Sequence, residues 1–204
     1  METKKQDEKK IEVALQPISV GDIIVKIKGT SDLIMDRFPD QAKRDILAKQ
    51  AGISKSNKKK VRDVKAETRD AVHITSSGKI GFPSFAWKKG MMEATSFVGD
   101  KFFSKKLVSG AIKITNMEDG LIPIQFKKQY VLEHSIGANT KFSPAFKDWS
   151  CELHIRFDKN NITAQDITTL LNYAGFYSGI GSWRPKGSGG GSGEYGTYQV
   201  ATSK

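Results

Sequence analysis

The residue types best suited to chemistry gather near the C-terminal end, where Trp183, Arg184, Lys186, Tyr195 and Tyr198 flank a glycine-rich run from Gly179 to Gly196. Glycine admits positive φ and lets a ligand come close to the backbone. Indole and phenol rings offer stacking surfaces, and Arg184 and Lys186 add positive charge, so the set suits an anionic, base-bearing ligand. Gly187 to Gly193 alone reads equally as a flexible Gly-Ser linker. Its flanks, Trp183-Arg184-Pro185 and Tyr195-Gly196-Thr197-Tyr198, do not.

His73, His134 and His154 are the candidates for general base. A metal-independent RNase would set one beside a lysine that stabilises the phosphorane charge. None has a second histidine or a nucleophile close in sequence, so each takes a structural or surface role. Asp36, Asp40, Asp45, Asp63 and Asp70 are scattered among basic residues, where a solvated ion pair is the default. Metal-assisted phosphodiester cleavage needs clustered carboxylates. Asp36, after Leu33-Ile34-Met35, is the carboxylate to check first. Gly179-x-Gly181 follows a helix instead of a strand, which excludes a dinucleotide-binding loop. The lone Cys151 excludes an intrachain disulfide framework and a cysteine-rich zinc site. The expectation is a non-catalytic protein without metal or cofactor.

The net charge of +11 is unevenly spread. Residues 37–106 hold 17 Lys or Arg against 7 Asp or Glu, whereas residues 107–204 hold 10 against 8. Such concentration attracts polyanions by releasing their counterions. Lys55, Lys58, Lys59, Lys60 and Arg62 are the leading phosphate contacts, joined by Arg37, Lys43, Arg44, Lys88 and Lys89. The basic stretch has no lysine-rich helix with an apolar opposite face, which disfavours a membrane surface. No apolar run is long enough to span a bilayer, and the charged N-terminus precedes no signal-peptide core. A soluble, intracellular, cytoplasmic protein is expected.

Positioning falls to the following elements. Residues 1–10 read as a disordered tail, and 11–201 as one domain with an insertion at about 54–83. Ile11 to Leu15 and Ile23 to Lys28 look like strands, the second with period-two alternation. Pro39-Asp40 opens a helix to about Ala51, closed by Gly52. Ser54 to Arg69 is basic and poor in core residues, hence a protruding or disordered loop. A hairpin is expected over Ala71 to Thr75 and Ile80 to Phe82, then a helix from Pro83-Ser84 to about Val98. Strands follow at Ala111 to Thr115, Leu121 to Phe126 and Trp149 to Phe157, with an Asp119-Gly120 turn. Thr163 to Asp166 is a capping box, Ile167, Leu170, Leu171 and Ala174 form the buried face of the last helix, and Gly175 is its expected stop. Thr197 to Ala201 is the final strand. Two βαβ-like halves predict an α+β fold: a modified ferredoxin-like (RRM-type) core with a basic thumb-like insertion and a C-terminal Gly-rich loop.

That pattern resembles the RAMP superfamily of CRISPR proteins, through Gly179-x-Gly181, Gly187 to Gly193 and Gly196-x-Tyr198-x-Val200. The basic insertion is similar to the thumb-like insertions of the backbone subunits that coat guide RNA. Leu33 to Phe38, Gly81-Phe82-Pro83 and Gly179 to Pro185 also resemble segments of small phage-encoded proteins of that kind. The resemblance implies binding to single-stranded RNA or DNA by subunits that stack head to tail as a homo-oligomer or filament, with phage or CRISPR-like effector partners. It leaves two alternatives open: a RAMP-type endoribonuclease using His73 or His154, and a phage single-strand annealing protein.

Overall fold

The computed structural model describes residues 17–53, 63–99, 103–136, 139–186 and 193–201. It is an α+β fold whose main sheet is antiparallel. The central strands are β1 (Val20–Gly29) and β8 (Ser150–Asp158), which pair in register from Val20↔Asp158 to Lys28↔Ser150. On one side of the pair lies β9 (Tyr198–Val200). On the other lie β4 (Ile112–Ile114) and β5 (Leu121–Gln125), two pieces of one edge that meet β8 at different heights. The Asp119-Gly120 turn between them has both residues at positive φ, as expected. β3 (Gly81–Pro83) extends the sheet beyond β5. Helices α3 (Phe85–Ala94) and α4 (Lys105–Ala111) connect β1's half to β4, and α5 (Ala164–Tyr173) connects β8 to β9. That is the split βαβ-β-αβ order of a ferredoxin-like core.

One hydrophobic cluster holds these layers together. Val25 and Ile27 of β1 and Leu153 and Ile155 of β8 meet Trp87 and Met91 of α3 and Leu170 and Leu171 of α5, all buried. Each such side chain contributes about 1.5–3 kcal/mol on leaving water. The capping box at Thr163 and Asp166 forms: the Thr163 hydroxyl accepts from the Asp166 N–H, and the Asp166 carboxylate accepts from the Thr163 N–H. Cys151 is buried in the core, which raises its thiol pKa far above the usual range.

Two excursions are built onto this core. The first comprises β2 (Leu33–Ile34), α1 (Asp40–Gln50) and α2 (Val64–Asp70). The second is a long hairpin, β6 (Lys128–Ile136) and β7 (Asn139–Lys147), whose second strand pairs with β2. Sequence patterning misses this hairpin, because the face it buries interrupts Leu132 and Ala145 with Tyr130, His134, Lys141 and Ser143 instead of carrying an apolar series.

Other expectations need correcting. Val64–Asp70 is helical where a loop was expected, since Asp63 caps α2 by accepting from the Lys65 and Ala66 N–H groups. The hairpin over residues 71–82 reduces to a single bridge, Ile74↔Ile80, because Gly81–Pro83 pairs with β5 instead. Helix α3 ends at Ala94 rather than Val98, and α4, capped by the Ser104 hydroxyl, was not foreseen. Gly175 does not end the last helix, which continues as a π-helical turn, Ala174–Ser178, before Gly179 breaks it at φ +60. The expected tail, the strand Ile11 to Leu15 and the basic residues Lys55, Lys58, Lys59, Lys60 and Arg62 lie outside the described residues. Among the described residues, no helix is long and apolar enough to cross a membrane.

Candidate nucleic-acid interface

The two flanks of the Gly-rich run are knitted together and fastened to β1 and β2. The Ile180 N–H donates to Gly196 O (2.9 Å), Tyr195 N–H to Trp183 O (3.1 Å), Ser182 N–H to Ile34 O (3.0 Å) and Gly196 N–H to Asp32 O (2.8 Å). Gly196 sits at φ +67, and a Cβ there would fall 1.7 Å from Ile180 O, so both turn and crossing demand glycine. A hydroxyl knot adds to this: Thr197 Oγ1 donates to Ser31 Oγ (2.8 Å), and Ser31 O accepts from the buried Trp149 indole N–H (2.8 Å). Among the described residues of the two flanks, the Ile180, Ser182, Tyr195 and Gly196 N–H groups are therefore used internally. These flanks also present side chains outward.

The main side chain is Trp183. Its backbone is left-handed at φ +58 and the residue is 44% exposed. The His134 ring meets it edge-on, with centroids 5.0 Å apart at 75°. β6 brings His134 there, and its cross-strand partner on β7 is Lys141, which is ion-paired with Asp36 just beyond β2. Tyr130, on the same face of β6, donates its hydroxyl to Asp32 (2.7 Å). Burial, then that carboxylate, push the Tyr130 pKa up to about 12. Burial and then Lys141 lower the pKa of His134, against a smaller opposing effect of Asp36. The imidazole is thus neutral at pH 7.

Arg184 and Lys186 follow Trp183 in sequence, and the Tyr195 N–H bond to Trp183 O brings the second flank beside it, while the Lys186 ammonium lies 5.7 Å from the Phe97 ring centre. Tyr198 does not join them. It is 2% exposed, with its ring edge-on to Trp149 at 6.1 Å, because β9 pairs with β1 and turns the ring inward. It is a core residue.

Beyond Asp36 the chain enters a second basic neighbourhood on α1. Arg37 and Lys43 share the Asp40 carboxylate, which lowers the pKa of that acid, while Arg44 donates to Gln41 (3.1 Å). Arg37 and Lys43 also depress the pKa of half-buried His73, after the larger effect of desolvation. Helix α1 has no buried residue and leaves Ile46 and Leu47 exposed. Lys88 and Lys89 stand on α3, in the helical layer.

The open face of the main sheet offers a contrast. On β1 and β8 it carries Asp22, Ile24, Lys26, Glu152, His154 and Arg156, without Phe, Tyr or Trp. Arg156 is paired with Asp22 (3.0 Å) and His154 with Glu152 (2.7 Å). It therefore lacks the stacking rings with which RRM sheets hold bases. A groove of about 420 Å³ between α2 and the far face of β6 is lined by apolar side chains, Val64, Val72, Ile74 and Val131 among them, together with the cations Lys65 and Arg69, and by no carboxylate or imidazole. Among the described residues, no three His, Cys, Asp or Glu side chains group as a metal site.

Sequence reasoning missed Tyr130, Asp32 and Lys141, whose role depends on the long-range docking of the hairpin. It flagged Asp36, which proves to be an ion-pair partner.

No protein-family model matches the chain, and no curated protein matches it. Among solved structures, the chain is similar to Cmr6 from Pyrococcus furiosus at 10% identity and a TM-score of 0.42, over 91% of this chain and 100% of that one.

Proposed function

We propose that this protein binds single-stranded RNA or DNA without cleaving it, and that copies assemble head to tail along the strand. The observation that carries the reading is the Trp183 corner: an exposed indole held in a left-handed turn, followed by Arg184 and Lys186. A base stacks on such a ring with little sequence preference, while the neighbouring cations take the phosphates. The +11 charge, concentrated in residues 37–106, draws a polyanion to the molecule. Assembly is supported by α1, none of whose 11 residues is fully buried within the chain. An isolated helix that short is marginal in water, so a neighbour or the strand itself supplies its support.

The endoribonuclease reading has less behind it. The His73 ring packs edge-on against Phe82 (6.2 Å), and His154 is hydrogen-bonded to Glu152, so each has a structural partner. The test is purification at high salt, transfer to low salt with bulk RNA or DNA, and mass by light scattering with the 260/280 nm absorbance ratio. The proposal expects a large, nucleic-acid-rich particle that collapses when the matching nuclease is added, with the recovered strand intact. A 22.5 kDa monomer that binds neither polymer contradicts it.

A further inference from the structure

The π-helical turn after α5 inverts the usual rule of burial. It buries its small residues, Ala174, Gly175 and Ser178, and turns its large rings outward: Phe176 is 71% exposed and Tyr177 41%, beside Tyr173 at 37%. Gly175 makes this possible, since a Cβ there would lie 2.0 Å from Tyr198 O. Phe97, beyond the end of α3, lies parallel on Tyr177 at 4.3 Å and 7°, and Tyr173 stacks on Tyr177 at 5.9 Å and 24°. Phe176 stands edge-on to Tyr177 at 5.0 Å. Lys186 Nζ sits 5.7 Å from the Phe97 ring centre, and its backbone N–H closes onto Ser178 O. A contiguous exposed set of rings on a soluble chain marks an interaction surface.

We infer that this ring ladder is a second base-stacking platform, continuing the path of the strand from Trp183 across Lys186 to Phe176; the inference rests on the strand-binding reading above. Three observations select unpaired bases as the occupant. Phe97 and Tyr177 are already stacked in parallel, and Phe176, edge-on to Tyr177, is the most exposed ring of the set, so a base can stack on it. Lys186 joins the ladder to the Trp183 corner within one short segment and places a cation where a phosphate must pass. Phe97 belongs to the stretch 37–106, which carries 17 Lys or Arg against 7 Asp or Glu and draws a polyanion to this part of the molecule.

The test uses fluorescence anisotropy with a labelled unstructured RNA, its DNA counterpart and an abasic strand of the same length. Phe176→Ala is expected to weaken binding of the base-bearing strand about tenfold, to leave abasic binding unchanged, and to be rescued by Phe176→Trp. Since Phe176 is so exposed, the variant folds, and circular dichroism verifies it. Equal affinity of Phe176→Ala and the parent, while Trp183→Ala binds weakly, overturns the ladder and leaves the strand-binding reading intact. A loss that is the same on the abasic strand, or that appears only as reduced self-association, also overturns it and makes the ladder a protein contact. If the parent binds no strand, both fall together.

Discussion

Trp183 couples a conformational cost to an exposed ring. A non-glycine residue at φ +58 gives up about 1 kcal/mol. Trp183→Gly removes that cost and Trp183→Ala keeps it, so the glycine variant should unfold in urea with about 1 kcal/mol more stability than the alanine variant. Both should bind strand about tenfold more weakly, since both lose the indole. Uncoupled stability and affinity would identify Trp183 as a ligand contact; a parallel loss of both would make it a packing residue. His134 and His73 supply a pH test. Their folded pKa values lie below the unfolded value of about 6.5. Between the two values the unfolded chain binds more protons, so stability present above about pH 6.5 is lost as pH falls towards the folded pKa. Urea midpoints should therefore drop between about pH 7.5 and 5.5, and drop less in His73→Gln. A phosphate beside His134 and Lys141 favours the imidazolium, so the His134 pKa followed by NMR should rise when strand is added.

Among the elements, β9 and the π-helical turn are the most exacting. They touch at Gly175, where a Cβ has no room against the Tyr198 backbone. Gly175→Ala should destabilise the fold by about 3 kcal/mol, because backbone cannot give way as a flexible side chain can; a thermal shift near zero would contradict this packing. The elements legible in the sequence bury a pure apolar face within the main core. β8 alternates buried Cys151, Leu153, Ile155 and Phe157 with outward polar residues, and α5 announces its start through Thr163 and Asp166. The β6–β7 hairpin was illegible because the face that meets Asp32, Asp36 and Trp183 interrupts Leu132 and Ala145 with Tyr130, His134 and Lys141, while Phe146 of β7 packs in the main core. The local hairpin expected over residues 71–82 lost to a distant partner, β5, which no short-range pattern reveals. The aromatic flanks of the glycine run were visible as residue types. That Tyr198 turns inward depends on the pairing of β9 with β1, which is settled only by the fold.

The whole molecule is a ferredoxin-like core in which the central sheet face carries the Arg156–Asp22 ion pair and the His154–Glu152 hydrogen bond, while rings and cations gather at one margin, around the Gly-rich loop and the π-helical turn. Binding at such a margin should be strongly salt-dependent. Engagement of about five phosphates on a single strand gives a slope of about −3.5 in log K against log salt. A slope near zero would remove electrostatics from the account. The path itself is best tested by ultraviolet crosslinking of a bound thymidine- or uridine-rich strand, followed by mass mapping of the adducts. The account predicts adducts on the segment carrying Trp183 to Lys186. Adducts confined to β1 and β8 on the open sheet face, with the Trp183 segment unmodified in a saturated complex, would contradict it.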